Sequence, residues 1–203
     1  MTTQRQLVSD LLRDHGRTYA AEASITLRNK PAPLFQLLTL SMLFAAPINA
    51  SVATASAREL WAAGWRTPQQ LRDSTWQQRV DALGRGGYRR YDESTARHLD
   101  AAAEHLLDAY AGDLRRLRDS AGGEVDGIRE KLREFPRIGP TAADIFCREV
   151  QQVWPQVRPF FDKRALTGAE KLGLPADPDQ LAALVDADQL AELAAALVRA
   201  DLA

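Results

Sequence analysis

The chain has 203 residues, 45% hydrophobic and 26% charged, with 26 basic and 27 acidic groups giving a formal charge of −1. This composition excludes a disordered or polybasic tail protein and supplies enough apolar side chain for one core or two small ones. The single cysteine excludes a disulfide framework, a cysteine-only zinc site and a four-cysteine iron–sulfur cluster. The longest apolar stretch, roughly 34–48, is broken by Ser, Thr and Pro47 and is too short to span a bilayer. A soluble intracellular protein without a membrane partner is the expectation.

In chain order the pattern is helical throughout. Gln4–Arg13 places Leu7, Val8, Leu11 and Leu12 on one side of a short amphipathic helix. Pro31 and Pro33 open a second helix that is apolar on most faces through Leu43, the mark of a central element. Pro47 ends it, and Asn49 or Ser51 can cap a helix running to about Ala63. Trp61 and Trp65 are placed there as packing residues. Thr67-Pro68 and Ser74-Thr75 open two short helices, the second ending at the Gly84–Gly87 turn.

A long helix is predicted from Glu93 to about Leu117, with Gly122-Gly123 breaking the chain after it. Another passes through Ile128 and Leu132 to Phe135, and a further one runs from Pro140 to about Val153. Pro155 and Pro159 make an extended link, and three small helices follow near 163–172, 179–185 and 188–200. No window alternates like a strand for more than four residues, so the fold class is all-α.

Charge is uneven along the chain. Residues 165–203 hold two basic groups against seven acidic ones, a net of −5, which leaves residues 1–164 at +4. Any phosphate-facing surface therefore belongs to the first four-fifths of the chain. Arg85, Arg89 and Arg90, interleaved with Tyr88 and Tyr91, form the best basic–aromatic patch: arginine binds phosphate and tyrosine stacks on bases. Arg115, Arg116 and Arg118 read instead as partners of a helix C-terminal dipole. His98 and His105, two turns apart, are too far separated to share a metal without other ligands, and His15 has no partner in sequence. No metal site is expected.

The segment from Leu132 to Phe146, Leu-Arg-Glu-Phe-Pro-Arg-Ile-Gly-Pro-Thr-Ala-Ala-Asp-Ile-Phe, carries the most information. A helix ends on an apolar residue, a tight hairpin follows in which Gly139 is free to take positive φ, and Pro140 starts the next helix. Backbone N–H groups at such a helix start form an anion site, to which Arg137 adds a cation. Ala142 and Ala143 let the two helices cross closely.

This segment resembles the helix-hairpin-helix of the endonuclease III-like DNA glycosylase superfamily, whose hairpin amides hold a DNA phosphate. The family hairpin usually reads Leu-Pro-Gly-(Val/Ile)-Gly, and here it is Phe135-Pro136-Arg137-Ile138-Gly139, with the first glycine replaced. Val157-Arg-Pro-Phe-Phe-Asp162-Lys-Arg-Ala-Leu is similar to the family's apolar approach to an aspartate that opens the next helix. Leu83 to Tyr91, leading into a long helix with Ala96 and Leu99, is similar to the family's Gly-Tyr-Arg-x-Lys-Ala turn. The similarity covers roughly residues 34–172.

The resemblance implies a two-lobed, helix-hairpin-helix DNA glycosylase-like fold. A six-helix lobe would span 31–153, and a second lobe would combine 1–30 with 154–203. It implies double-stranded DNA as partner, action as a monomer, and a cytoplasmic place, nucleoid-associated if the protein is bacterial. DNA contacts would come from Arg137, Ile138, Gly139, Thr141, Arg85, Tyr88, Arg89, Arg90 and Asn49. Asp162 would be the catalytic carboxylate, assisting loss of a damaged or mismatched base with logic shared with glycoside hydrolysis. No cofactor is implied beyond, at most, a monovalent cation at the hairpin.

Three departures from the family pattern bear on chemistry. Thr141 stands where bifunctional members carry the lysine that forms a Schiff base, and a hydroxyl forms no imine, so this residue supports no lyase step. Ala46 stands where many members carry a Gln that fills the space of the flipped nucleotide, leaving Phe44 or Asn49 as the nearest substitutes. Cys147 lies on the apolar face of a helix as a buried, inert thiol, and the cluster loop is absent. Three readings follow: a monofunctional base-excision glycosylase, a catalytically inactive helix-hairpin-helix DNA-binding protein, or, consistent with the balanced charge, the fold without a nucleic-acid role.

Overall fold

The computed structural model describes residues 3–202, and every regular element among them is helical. The centre is α3 (Pro31–Phe44), started by its proline at the first helical position. Every residue from Leu34 to Leu43 is buried, including Gln36, Thr39 and Ser41, so the helix is surrounded on all sides. Ser41 satisfies its hydroxyl locally by donating to the Leu37 carbonyl at 2.9 Å. Around α3 pack α4 (Ala50–Ala62), α7 (Asp92–Tyr110), α8 (Leu114–Ser120) and α10 (Pro140–Val150). Outside these, α6 (Trp76–Arg85) lies against α4 and α7, α5 (Pro68–Arg72) against α7, and α9 (Val125–Arg133) against α10. Their apolar faces make one continuous core that includes Trp61, Leu106, Ile128, Phe146 and Trp154.

A second core joins α1 (Gln4–His15), α11 (Lys163–Lys171), α12 (Pro178–Ala182) and α13 (Leu190–Leu202). Its centre is the alanine-rich run Leu193–Val198, all buried. Small residues allow α11 and α13 to approach closely: a Cβ on Gly168 would lie 2.0 Å from the Leu197 carbonyl oxygen. Phe44, at the end of α3, packs against both cores and meets Tyr19 edge-on at 5.0 Å.

Several sequence expectations need correction. The long helix predicted for Glu93 to about Leu117 is two helices, because Ala111 and Gly112 both take positive φ (52° and 79°). Asp113 then caps α8 by accepting from the Arg115 amide and also pairs with the Arg115 guanidinium. Arg115 and Arg116 therefore open a helix rather than closing one. The link after α10 is not extended: α10 ends at Val150, and Pro155–Val157 forms a 3₁₀ turn. A one-turn helix, α2 (Tyr19–Glu22), was not expected. Among the described residues, no helix is long and apolar enough to cross a membrane.

Candidate functional site

The hairpin between α9 and α10 is anchored by its apolar residues. Phe135 and Ile138 are buried at 2% and 5% exposure, and the Ile138 amide donates to the Phe135 carbonyl at 3.1 Å. Ile138 is thus a packing residue whose side chain and amide both face the protein. The positive φ is at Arg137 (64°), not at Gly139, which is extended (φ −90°, ψ −177°). Arg137, which stands where the family pattern has its first glycine, takes the left-handed conformation that favours glycine. Gly139 is needed for neither conformation nor packing, since a Cβ there would meet nothing within 4 Å. The amides of Gly139, Thr141 and Ala142 donate to no acceptor among the described residues. The free donors of exposed Gly139 and Thr141 at this helix start make an anion-binding corner, while Ala142 is buried.

A left-handed arginine costs about 1–2 kcal/mol relative to a relaxed residue, whereas glycine there gives up about 0.5–1 kcal/mol of chain entropy. Arg137→Gly is therefore expected to melt at or slightly above the wild-type temperature, and Arg137→Val clearly below it. Thermal unfolding of both variants checks this. Stability does not account for the arginine. It is part of the hairpin, and its charge also acts on His98 of α7, whose imidazole is held below its ordinary pKa by burial and by the Arg137 and Arg97 guanidinium groups.

Asp162 is the N-cap of α11, and its Oδ1 accepts the Ala165 amide at 2.9 Å. Its other oxygen, Oδ2, accepts Nη1 of Arg148 at 2.5 Å, and both side chains are nearly inaccessible (7% and 3%). Arg148 lies on the cleft side of α10, 5.4 Å over the ring of Tyr19. Next to it, Glu149 accepts the Ala20 amide through Oε2 at 2.9 Å, while its Oε1 has no partner and lies 3.7 Å from the equally unpartnered Arg148 Nε. Burial pushes the Glu149 carboxyl above its ordinary range, against the pull of Arg148. Sequence reading placed Asp162 but missed Arg148, Glu149 and Tyr19. The available signal was an Arg-Glu pair inside the apolar run from Ile145 to Val150, where a charged pair is kept only with buried partners.

A cleft of about 1140 Å³ brings most of these groups together. Thr141 lines it from α10, Asp162 from α11, and Ala46 and Asn49 from the turn between α3 and α4. Asn49 holds the N-cap position of α4 without a side-chain capping bond, so its amide is free and exposed. Arg89 and Arg90 border the same cleft, and Arg90 lies 5.4 Å over the Tyr91 ring. Tyr88 is not a stacking platform as expected: it is buried at 1%, and its hydroxyl donates to the Leu43 carbonyl at 3.3 Å, fixing the end of α3. Arg85 is drawn away to Glu59 at 2.8 Å and does not line the cleft. Lys163 and Arg164 line it without having been singled out in the sequence. Cys147 is fully buried, and burial raises its thiol pKa far above the ordinary value.

No protein-family model matches the sequence, and no curated protein matches it either. Solved structures do match in shape. A non-covalent endonuclease III–DNA complex superposes with a TM-score of 0.54 at 16% identity, covering 97% of this chain and 85% of that one. A trapped endonuclease III–DNA covalent intermediate with an estranged adenine gives a TM-score of 0.51 at the same 16% identity and the same coverage. At that identity the likeness speaks to the backbone alone. The protein has an all-α, endonuclease III-like fold.

Proposed function

We propose that this protein binds double-stranded DNA and acts in base-excision repair as a monofunctional DNA glycosylase, hydrolysing the N-glycosidic bond of a damaged or mismatched base. The observation that carries the reading is the meeting of the anion corner with a carboxylate in one cleft: Thr141, beside the free hairpin amides, and Asp162 line the same cavity. Two solved structures of like fold are complexes of endonuclease III with DNA, which supports DNA as the partner. Arg89, Arg90, Arg137 and Lys163 stand at the cleft or hairpin without a carboxylate within 4.0 Å among the described residues, as backbone-contacting cations do.

In this reading the Gly139 and Thr141 amides hold a phosphate, and Asn49 reaches into the duplex beside Ala46. Asp162 opposes the positive charge that develops on the sugar as the base leaves, or accepts a proton from the attacking water. An ionised carboxylate has about four lone-pair sites, so capping α11 and pairing with Arg148 leave acceptor capacity for either role. No imine forms at Thr141, and the product is an intact abasic strand.

The test is incubation with a panel of lesion duplexes followed by alkali. Strand cleavage is expected for at least one lesion and is expected to vanish in Asp162→Asn, which can still cap the helix. Borohydride is expected to trap no adduct through Thr141, so Thr141→Ala leaves any trapped fraction unchanged. A second reading, a DNA-binding protein without base excision, is favoured by Arg148 sitting on the Asp162 carboxylate and by the methyl of Ala46. Duplex binding with no alkali-labile product across the panel selects it.

A further inference from the structure

We infer that Glu149 is a positioning residue that acts through Arg148. Its carboxylate offsets the buried guanidinium, so that Asp162 presents net negative charge to the sugar as the base leaves. The inference rests on the glycosylase reading above and deepens it.

An isolated Arg148–Asp162 pair would work against that reading. Arg148 Nη1 lies 2.5 Å from Asp162 Oδ2, and the field of a neutral pair falls off far more steeply than that of a single charge. The guanidinium, however, is shared. Glu149, its neighbour on α10, places Oε1 3.7 Å from Arg148 Nε, and its side chain is 1% exposed. Two carboxylates around one guanidinium leave one net negative charge. Of the two, Asp162 lines the cleft and Glu149 does not.

Local hydrogen bonding does not require Glu149 to be charged. Its Oε2 accepts the Ala20 amide at 2.9 Å, which the amide oxygen of a glutamine would accept equally. Its Oε1 has no hydrogen-bond partner, and neither has Arg148 Nε. A buried carboxylate carries a desolvation cost that glutamine avoids. What it adds is the charge that the Arg148–Asp162 pair lacks.

Burial also makes the arrangement sensitive to pH. It pushes the Glu149 carboxyl above its ordinary range, against the pull of Arg148, of the Ala20 and Tyr19 amides on α2, and of Arg199 on α13. Arg199 is itself held by Glu22 at 2.8 Å. The Tyr19 phenol is raised by burial, against Arg199 and Arg148, and stays neutral. Protonation of Glu149 leaves a neutral Arg148–Asp162 pair. The net charge is therefore present at higher pH and lost as pH falls through the Glu149 titration.

The test uses the full chain and two duplexes that differ at one sugar. One carries a neutral tetrahydrofuran abasic analogue, the other a pyrrolidine analogue that is protonated from about pH 5 to 8. Taking the ratio of the two affinities cancels every group that acts on both duplexes alike. Wild-type protein is expected to bind the pyrrolidine duplex about tenfold tighter or more at the upper end of this range, and to lose most of that preference toward the lower end. Glu149→Gln is expected to show the low ratio throughout. Adding Arg148→Met, which removes the uncompensated cation, is expected to restore the preference.

A merely structural role for Glu149 weakens both duplexes alike. A Glu149→Gln ratio equal to that of wild type therefore overturns the proposal and leaves the glycosylase reading intact, as does a double variant that regains no preference. A wild-type preference that stays constant across the pH range also overturns it, without needing any variant to fold. No wild-type preference for the cation at any pH defeats the role of Asp162 together with this inference. Absence of binding to both duplexes at low salt defeats the DNA reading and this inference with it.

Discussion

Arg148→Ala is expected to destabilise the protein by about 3–5 kcal/mol, because it leaves the Asp162 carboxylate buried without its cation. For a chain of this size that is a fall in melting temperature of roughly 6–20 °C. The direct loss of the 2.5 Å contact is only part of the effect. Tyr19 also loses the cation over its ring, though it keeps Arg199 at 4.2 Å on the same π-system. The double variant Arg148→Met with Asp162→Asn is expected to recover most of the loss, since a neutral cap and an apolar filler carry no desolvation penalty. Thermal or urea unfolding of the two single variants and the double variant checks this. Losses that simply add would mean that the two residues do not act as a pair.

Gly168→Val strikes the second core in the same place. The nearest atom to the new Cβ would be the Leu197 carbonyl oxygen at 2.0 Å, a backbone atom that cannot rotate away, with its carbon at 2.8 Å. Separating α11 from α13 costs about 3 kcal/mol or more, at the upper end of overpacking penalties. The consequence extends to the cleft, because Asp162 is fixed by the first turn of α11. Gly168→Val is therefore expected to lower the melting temperature by roughly 6–12 °C and to lose activity out of proportion to its effect on duplex binding. Gly139→Ala is the contrasting control. Its Cβ enters open space, so stability is expected to stay within about 0.5 kcal/mol of wild type, and any loss falls on binding.

The all-α class and the position of α3 were legible because an all-round apolar helix has only one place to go. The hairpin was legible too, since Phe135, Ile138 and Pro140 fix its packing and its exit regardless of what surrounds it. Asp162 could be placed because an aspartate before a helical run caps it whatever else it does. What escaped was tertiary in origin. Nothing local marks Arg148 as the partner of a carboxylate fourteen residues later. The Ala111-Gly112 break is invisible where the helical apolar pattern continues across it. Tyr88 looked like a surface aromatic among arginines, yet its ring fills the core while Arg89 and Arg90 remain outside. Gly139 was correctly placed in the hairpin, but the strained position is Arg137, because the chain reverses one step earlier.

The even total charge concealed the same asymmetry in space. Four cations without a carboxylate partner among the described residues stand at the hairpin and the cleft, whereas the acidic tail spends Asp201 on Lys171 and Arg164. The central claim, that this corner and cleft are a DNA surface, is tested most directly by the salt dependence of duplex affinity. Four free cations at the site set an expected slope of log affinity against log salt of roughly −3 to −4. Arg137→Gln is expected to reduce that slope by about 1 without altering the fold. Binding that is insensitive to salt, or a slope that Arg137→Gln leaves unchanged, would contradict the account.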